Sequence, residues 1–441
     1  MKICFIPIDN RPVCYNLASD ICSIDKSIEL LIPPRELLGS LINNADHNAI
    51  LEWLKKTPPS DAIILSLDTI AYGGLIPSRR SNETFKEIEN RINLLKEILK
   101  EKRAKIYAFS SIMRISNNNY NEEEKYYWKD YGKKLFQYSY TGGVEKADLP
   151  QEIIEDYLNT RKRNFNINKL YLEWQKEGIF ETLIFSKDDC AQKGFNVEEA
   201  NELIKMGAKV KTGADEIPLS LLSRAIKKDI KIYVDYTEPE YKHLISNYED
   251  ISIEDSILGQ IELGGFKTVN SQKEADVILI ANNFIEKQGE LVMNWDTQKF
   301  NKSLILPKQP YVIADVRFAN GADNNFVEQL LPQINLNNFY GYAGWNTSAN
   351  TLGSLLAVIK IRFNAKKYNE NAFKKLQLIR FLDDWAYQAN IRGQIETPCD
   401  ISMQMKLYEE KLLKILDFKK QNNINYTYPW NRKFEVEINI P

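Results

Sequence analysis

The sequence predicts an α/β protein of two doubly wound, mainly parallel Rossmann-like lobes with a helical insertion. Three observations carry this expectation. Short apolar runs ending in polar or turn residues recur along most of the chain, separated by amphipathic stretches. About ten such runs exceed the eight strands of a single (β/α)8-type barrel, which is the alternative, as a barrel with additions. Finally, long polar, aromatic-rich helices over about 117–178 exceed what a crossover between parallel strands needs.

Residues 3–8, 29–32, 62–67 and 105–110 read as buried strands. Between the last two, Phe85, Ile88, Ile92, Leu95 and Leu99 line one helix face, with Glu and Lys opposite. Strand, helix, strand at this spacing implies parallel pairing through right-handed crossovers. The insertion carries Tyr126, Tyr127, Trp128, Tyr131, Tyr157, Tyr171 and Trp174, and it reads as a lid or a subunit contact. Its short basic run, Arg161-Lys162-Arg163, reads as a solvated helix face. Strands then follow at 182–187, 208–212, 231–236, 266–269, 275–281, 311–314 and 339–343, before a helix over 352–363. The expected domains are a first lobe over 1–228, a second lobe over 229–363, and a C-terminal helical segment over 364–441 with a β-like tail.

Lys plus Arg is 58 against Asp plus Glu 60, a net charge of -2, so neither nucleic acid nor an acidic membrane is an expected partner. No apolar stretch approaches the roughly 18 residues of a membrane span. The opening Met1-Lys2-Ile3-Cys4-Phe5-Ile6 meets Pro7 and Asp9 too soon for a signal core. Five cysteines without a C-x-x-C pair read as reduced thiols of a cytoplasmic protein. Two histidines, His47 and His243, weigh against a multi-His zinc site and a Ser-His-Asp triad. Neither G-x-x-x-x-G-K-[ST] nor G-x-G-x-x-G occurs, so no cofactor is expected.

In parallel sheets, ligands meet the carboxyl ends of the strands. Those positions hold Asp9, Asn10 and Arg11; Arg35 and Glu36; Asp68, Tyr72 and Gly73-Gly74; Arg79; Arg114; Asp188 and Asp189; Asp215 and Glu216. Later strand ends hold Asp235, Asn282-Asn283, Asp315, Asn320, Asp323, Trp345, Asn346 and Asn350. Asp188 and Asp189 are the leading catalytic candidates. Adjacent carboxylates repel, which raises one pKa toward a useful general acid. The next helix has its own expected cap in Asn196, with Glu199 three residues on. Asp215 or Glu216 supplies the second carboxylate, although Asp215 also fits a helix cap. Asp9, Asn10, Arg11, Asp68, Tyr72, Arg79, Arg114, Asn320, Asp323, Trp345, Asn346 and Asn350 form the expected substrate-binding set. Asp9 and Asp68 equally fit ion pairs with Arg11 or Arg79. The arginines suit carboxylate or phosphate, or structural salt bridges. Trp345 and the amides suit sugar rings, and Trp345 equally suits a core.

These segments resemble a bacterial family catalogued only as a domain of unknown function. The resemblance rests on Ile6-Pro7-Ile8-Asp9-Asn10-Arg11-Pro12, Ser66-Leu67-Asp68, Ala71-Tyr72-Gly73-Gly74-Leu75, Ser78-Arg79, Met113-Arg114-Ile115-Ser116, Asp188-Asp189, Gly213-Ala214-Asp215-Glu216, Ala319-Asn320-Gly321-Ala322-Asp323 and Gly344-Trp345-Asn346-Thr347 through Gly353. It implies a shared α/β, enzyme-like site and nothing finer. Cys190-Ala191-Gln192-Lys193-Gly194 departs from the Ala-Ala-Pro-Tyr-Gly expected after the Asp pair, so that loop shapes a different pocket.

The expected activity is hydrolysis of a carbohydrate, at a glycosidic bond, by paired carboxylates. One alternative is a Mg²⁺- or Mn²⁺-dependent enzyme on a phosphorylated or acidic sugar, with Asp188, Asp189 and Asp215 as ligands. The other is a non-catalytic sugar-binding protein. A small molecule or oligosaccharide is the expected substrate, and a homodimer is compatible with the aromatic insertion.

Overall fold

A strand covered by helices on both faces has no solvent side, so it reads as a continuous apolar run. In the computed structural model, which describes residues 1–146, 148–419 and 422–440, the runs Ala62–Ser66 and Val277–Asn282 are buried at every position. The chain divides into two compact units. The first comprises Met1–Tyr15, Glu29–Leu221 and Tyr248–Asp250; the second comprises Asn16–Ile28, Leu222–Asn247 and everything from Ile251 onward. Segment 16–28 thus folds with the second unit, segment 248–250 with the first, and the chain beyond 363 with the second.

Strands of the first unit are β1 (Lys2–Ile6), β2 (Glu29–Leu31), β3 (Ala62–Ser66), β4 (Lys105–Ile112), β5 (Thr182–Lys187) and β6 (Val210–Thr212). They form one parallel sheet in the order β2-β1-β3-β4-β5-β6. The second unit holds β7 (Lys231–Tyr236), β8 (Lys267–Thr268), β9 (Val277–Asn282), β10 (Gly289–Glu290), β11 (Tyr311–Asp315), β12 (Phe318–Ala319), β13 (Phe339–Ala343), β14 (Asn425–Thr427) and β15 (Glu437–Asn439). Its main sheet, β13-β11-β9-β7-β8, is also parallel. In each unit the second strand lies outside the first and the later strands continue on the other side, the flavodoxin-like order with its switch point beside the first strand. Neither order closes on itself. The fold is α/β and mainly parallel, and the barrel alternative does not form.

Local signals account for most elements. The helix Phe85–Glu101 starts in a capping box between Thr84 and Glu87 and buries Ile88, Ile92, Leu95 and Leu99. Within the insertion lie the helices Trp128–Tyr140 and Gln151–Lys176. Ile167, Tyr171, Leu172 and Trp174 of the longer helix join the sheet's core, so its C-terminal half serves as the crossover. Met113, Tyr127, Trp128, Leu135, Ile153 and Tyr157 form a satellite core. Most of the insertion's rings are therefore consumed in local packing, while Tyr120 and Tyr126 stay exposed.

The basic run corrects the sequence expectation. Arg161 and Arg163 are buried rather than solvated. Arg163 donates to the carbonyls of Ser78, Ser81 and Glu83, and Arg161 pairs with Glu199. Buried guanidiniums are tolerated when each finds carbonyl or carboxylate acceptors. Among the described residues no helix is long and apolar enough to cross a membrane.

Candidate functional site

The parallel sheet of the first unit brings its carboxyl-end charges together. After β1, Arg11 folds back on Asp9, with Nη2 donating to Oδ2 at 2.7 Å, and reaches Asp215 Oδ1 at 2.6 Å. Arg79 sits on the short helix Leu75–Arg80, entered through Gly73 and Gly74 at φ 93° and 132°. A Cβ on Gly74 would lie 3.0 Å from the Ile8 carbonyl oxygen, so these glycines serve a tight backbone approach. After β5, Asp188 Oδ2 lies 3.5 Å from Arg79 Nη1 and 3.8 Å from Arg114 Nη1. Arg114 Nη1 donates to Asp189 Oδ2 at 2.9 Å. The insertion contributes Glu123 and Glu124, which accept from Arg114 at 3.0 and 2.9 Å and lie 3.6 Å from Arg79.

Arg114 is braced from behind. Arg161 donates to the carbonyls of Met113 (2.9 Å) and Arg114 (3.1 Å) while it pairs with Glu199. Lys187 pairs with Asp250, and Cys190 N donates to Tyr248 O at 2.8 Å, so the returning segment 248–250 anchors the loop that carries the Asp pair. Asp189 has φ 26°, a left-handed conformation rare outside glycine.

Acids outnumber bases here. Asp9, Asp188, Asp189, Asp215, Glu123 and Glu124 face Arg11, Arg79 and Arg114. Burial, reinforced by the charge of Asp188, pushes the Asp189 carboxyl up to about 7 against the pull of Arg114. Its side chain nevertheless keeps 36% of its surface exposed, which leaves it within reach of a ligand. Burial also raises Asp188 against Arg114 and Arg79, and raises Asp215 against Arg11. Burial works against the Arg114 charge, but Glu124, Glu123, Asp189 and Asp188 together outweigh it and raise the guanidinium's pKa.

Other expected site residues lie elsewhere. Asp68 is fully buried, accepting from Ser110 Oγ (3.0 Å) and Ser111 N (2.8 Å), and burial lifts its carboxyl to about 6. It braces β4, and among the described residues it makes no ion pair with Arg79. Tyr72 is buried beneath Arg163. Asn10 accepts from Arg35 through its backbone carbonyl at 2.8 Å. Glu216 is buried just before the helix Ile217–Ala225. The expected cap at Asn196 is corrected: Gly194 precedes the helix Phe195–Lys205, Asn196 lies inside it, and Glu199 turns to Arg161.

The remaining expected residues belong to the second unit. Asp323 caps the helix Asn324–Leu330 and also accepts from Phe300 N at 2.7 Å, a structural role. Asn320 donates to Glu290 Oε1 at 2.6 Å. Asn350 is buried within the helix Ser348–Asn364. Asn346 Oδ1 accepts from Thr347 N at 2.8 Å. Trp345 is 2% exposed and packs on Phe434, so it offers no open face to a sugar ring. Asp315, Arg317, Asn282 and Glu238 form a buried, mutually bonded network at the strand ends.

A family model described as "Protein of unknown function (DUF4127)" matches residues 3–439. The chain belongs to this family. No curated protein and no solved structure matches it. In this DUF4127 member, sequence reasoning missed the site roles of Glu123, Glu124, Arg161 and Asp250, whose partners Arg79, Glu199 and Lys187 lie far from them in sequence. The acid-rich stretch Asn121-Glu122-Glu123-Glu124 at the start of the insertion was the only available signal. Among the described residues, no group of three or more His, Cys, Asp or Glu side chains is arranged to hold a metal ion.

Proposed function

We propose that this chain is a hydrolase that cleaves a glycosidic bond of a neutral carbohydrate, with Asp189 as general acid. One observation carries the reading. Asp189 is a partly exposed carboxyl whose proton is held to about pH 7, beside Asp188 and bonded to Arg114. Such a group is about half protonated at neutral pH, and its protonated form can release the proton to the leaving-group oxygen as the C–O bond breaks. Asp215 is the second carboxylate, its charge supported by Arg11. It attacks the anomeric carbon if the two carboxyls lie near 5 Å apart, or activates water if they lie roughly 6.5–9.5 Å apart.

Neutral sugars are favoured because the acids outnumber the arginines, and each of those arginines already faces carboxylates. A phosphorylated or acidic substrate would meet a repulsive field. The cysteines form no disulfide among the described residues, which accords with a reducing compartment such as the cytoplasm.

The test is a panel of nitrophenyl glycosides on the purified chain and on Asp189→Asn. Turnover of one member by the native chain should fall by ~10²–10⁴ in the variant. The loss should be smaller for dinitrophenyl leaving groups, which need less protonation. Equal turnover by both proteins, or no hydrolysis of any member, overturns the reading.

A further inference from the structure

Trp345 is closed to a sugar ring, but the second unit holds another tryptophan that is open. Trp295 is 49% exposed and lines a cavity of about 270 Å³. The ring is carried on a fixed turn. Trp295 N donates to Glu290 O at 2.9 Å, and Trp295 O accepts from Glu290 N at 2.8 Å. Asn294, just before the ring, takes the left-handed conformation at φ 55°. From inside, the fully buried Glu290 carboxylate accepts from Val292 N at 3.1 Å, from Met293 N, and from Asn320 Nδ2 at 2.6 Å. Leu291 N donates to Ala319 O at 3.2 Å, which fastens the turn to β12. A lone exposed ring is ordinary. One held in place beside a cavity is the aromatic wall of a preformed binding site.

Leu291 and Phe318 complete the apolar lining, and Asn294, Asp296, Lys299 and Asn324 supply polar groups. Asn294, Asp296 and Lys299 are exposed, so their polar ends are open to a ligand. Asn324 Oδ1 accepts from Trp385 Nε1 at 2.8 Å and Asn390 Nδ2 at 2.9 Å. Its opposite arm, the N–H pair, is the end that a ligand can use. Asp296 Oδ1 accepts from Thr297 N at 3.0 Å, which leaves Oδ2.

This lining selects by chemistry. An anion would gain Lys299 but face Asp296, with the Glu290 carboxylate beneath. Among the described residues no group of three His, Cys, Asp or Glu side chains is arranged for a metal ion. A wholly apolar molecule would strip water from the amides and charges without replacing it. Lysine only donates and a carboxylate only accepts, whereas a hydroxyl does both and can serve either. A sugar ring adds an apolar C–H face that packs on an indole. The volume falls just below the roughly 300–1,000 Å³ usual for drug-sized ligands, so it suits one ring rather than a chain of them.

We infer that this cavity binds a single neutral sugar residue, its ring packed on Trp295 and its hydroxyls bonded to Asn294, Asp296, Lys299 and Asn324. The site contains no group of the proposed hydrolysis and stands whether or not the first unit cleaves anything.

The experiment is a ¹⁵N-indole tryptophan spectrum of the full chain, with the Trp295 peak assigned by its loss in Trp295→Phe. D-Glucose, D-galactose, D-mannose and N-acetylglucosamine are titrated in turn, with inorganic phosphate, ethylammonium and adenosine as controls. At least one sugar should move the Trp295 peak saturably. Asn294→Gly removes the amide while keeping the turn, since glycine adopts a positive φ without strain. Lys299→Met removes an exposed donor. At least one of these should weaken the binding about two- to tenfold, the usual effect of losing one hydrogen bond. The inference is overturned if no sugar moves the peak saturably, or if only a control does. Folded variants that both bind as the native chain does overturn it equally. The native titration decides alone if neither variant folds. No step of the readout needs catalysis, so failure of the hydrolase reading leaves its outcome unchanged.

Discussion

Asp189 illustrates how a single residue acquires a chemical role from charge imbalance. Its proton is retained because burial and Asp188 outweigh the stabilising guanidinium of Arg114. A general acid works only while protonated, so kcat/KM should decline as pH rises through about 7, the value Asp189 holds in the fold. That limb should vanish from the residual activity of Asp189→Asn; its persistence would assign the proton to another group. Arg161 acts through a neighbour rather than on substrate. Its fork holds the carbonyls of Met113 and Arg114 together with Glu199, a span that lysine's single ammonium cannot reproduce. Arg161→Lys should lower kcat roughly ten- to a hundredfold through misplacement of Arg114, with KM changed less. Steady-state kinetics on the best glycoside would show this split, and an unchanged kcat would reduce Arg161 to a packing residue.

Among the elements, the insertion has the least obvious purpose. Its satellite core of Trp128, Tyr157, Leu135 and neighbours holds the loop that delivers Glu123 and Glu124 to Arg79 and Arg114. Trp128→Ala should cost ~3–5 kcal/mol, as is typical for deleting a buried aromatic. Turnover should fall with it even where the chain remains folded. Urea unfolding monitored alongside activity tests both parts. Full activity in a destabilised but folded variant would detach the insertion from the site. The helix Phe85–Glu101, ahead of the insertion, was legible from spacing, since Phe85 through Leu99 repeats at helical period. The cap at Asn196 was not, because a side chain that could cap is instead drawn inside the helix beside Cys190.

For the whole molecule, buried acids set the response to pH. Burial raises Asp68 to about 6, Asp189 to about 7, Asp315 to about 7, Asp383 to about 8 and Asp384 to about 6. Each binds its proton more tightly folded than unfolded. The resulting stability is fully present below the ordinary carboxylate value near 4 and is lost as pH rises through these folded values. Asp25 acts oppositely: burial opposes its charge, but hydrogen bonds from Ser27, Lys366 and Lys367 outweigh it, so its contribution fades only in acid. The urea midpoint should therefore be higher at pH 5 than at pH 8, and the reverse order would contradict the raised values. Turnover on the best glycoside should survive EDTA, since Asp188, Asp189 and Asp215 are each within ion-pair distance of a guanidinium. Loss of activity restored by Mg²⁺ or Mn²⁺ would instead favour the metal-dependent alternative.

The alternation of apolar runs and amphipathic helices determined the parallel α/β architecture. Parallel pairing in turn placed the ends of β1, β5 and β6 along one edge. For that reason Asp9, Arg11, Asp188, Asp189 and Asp215 could be grouped from the sequence alone. Periodicity reports which way a segment buries its side chains, and that is a local property. Partner choice is not local. Only the folded chain could bring Glu123 and Glu124 to arginines from other elements, join Asp250 to Lys187, and exchange segments 16–28 and 248–250 between the units. Solvent access was equally undecided, because it depends on what lies over a residue. Asp68 and Trp345 end strands as plausibly as Asp189 does, yet packing closes over both and leaves Asp189 partly open.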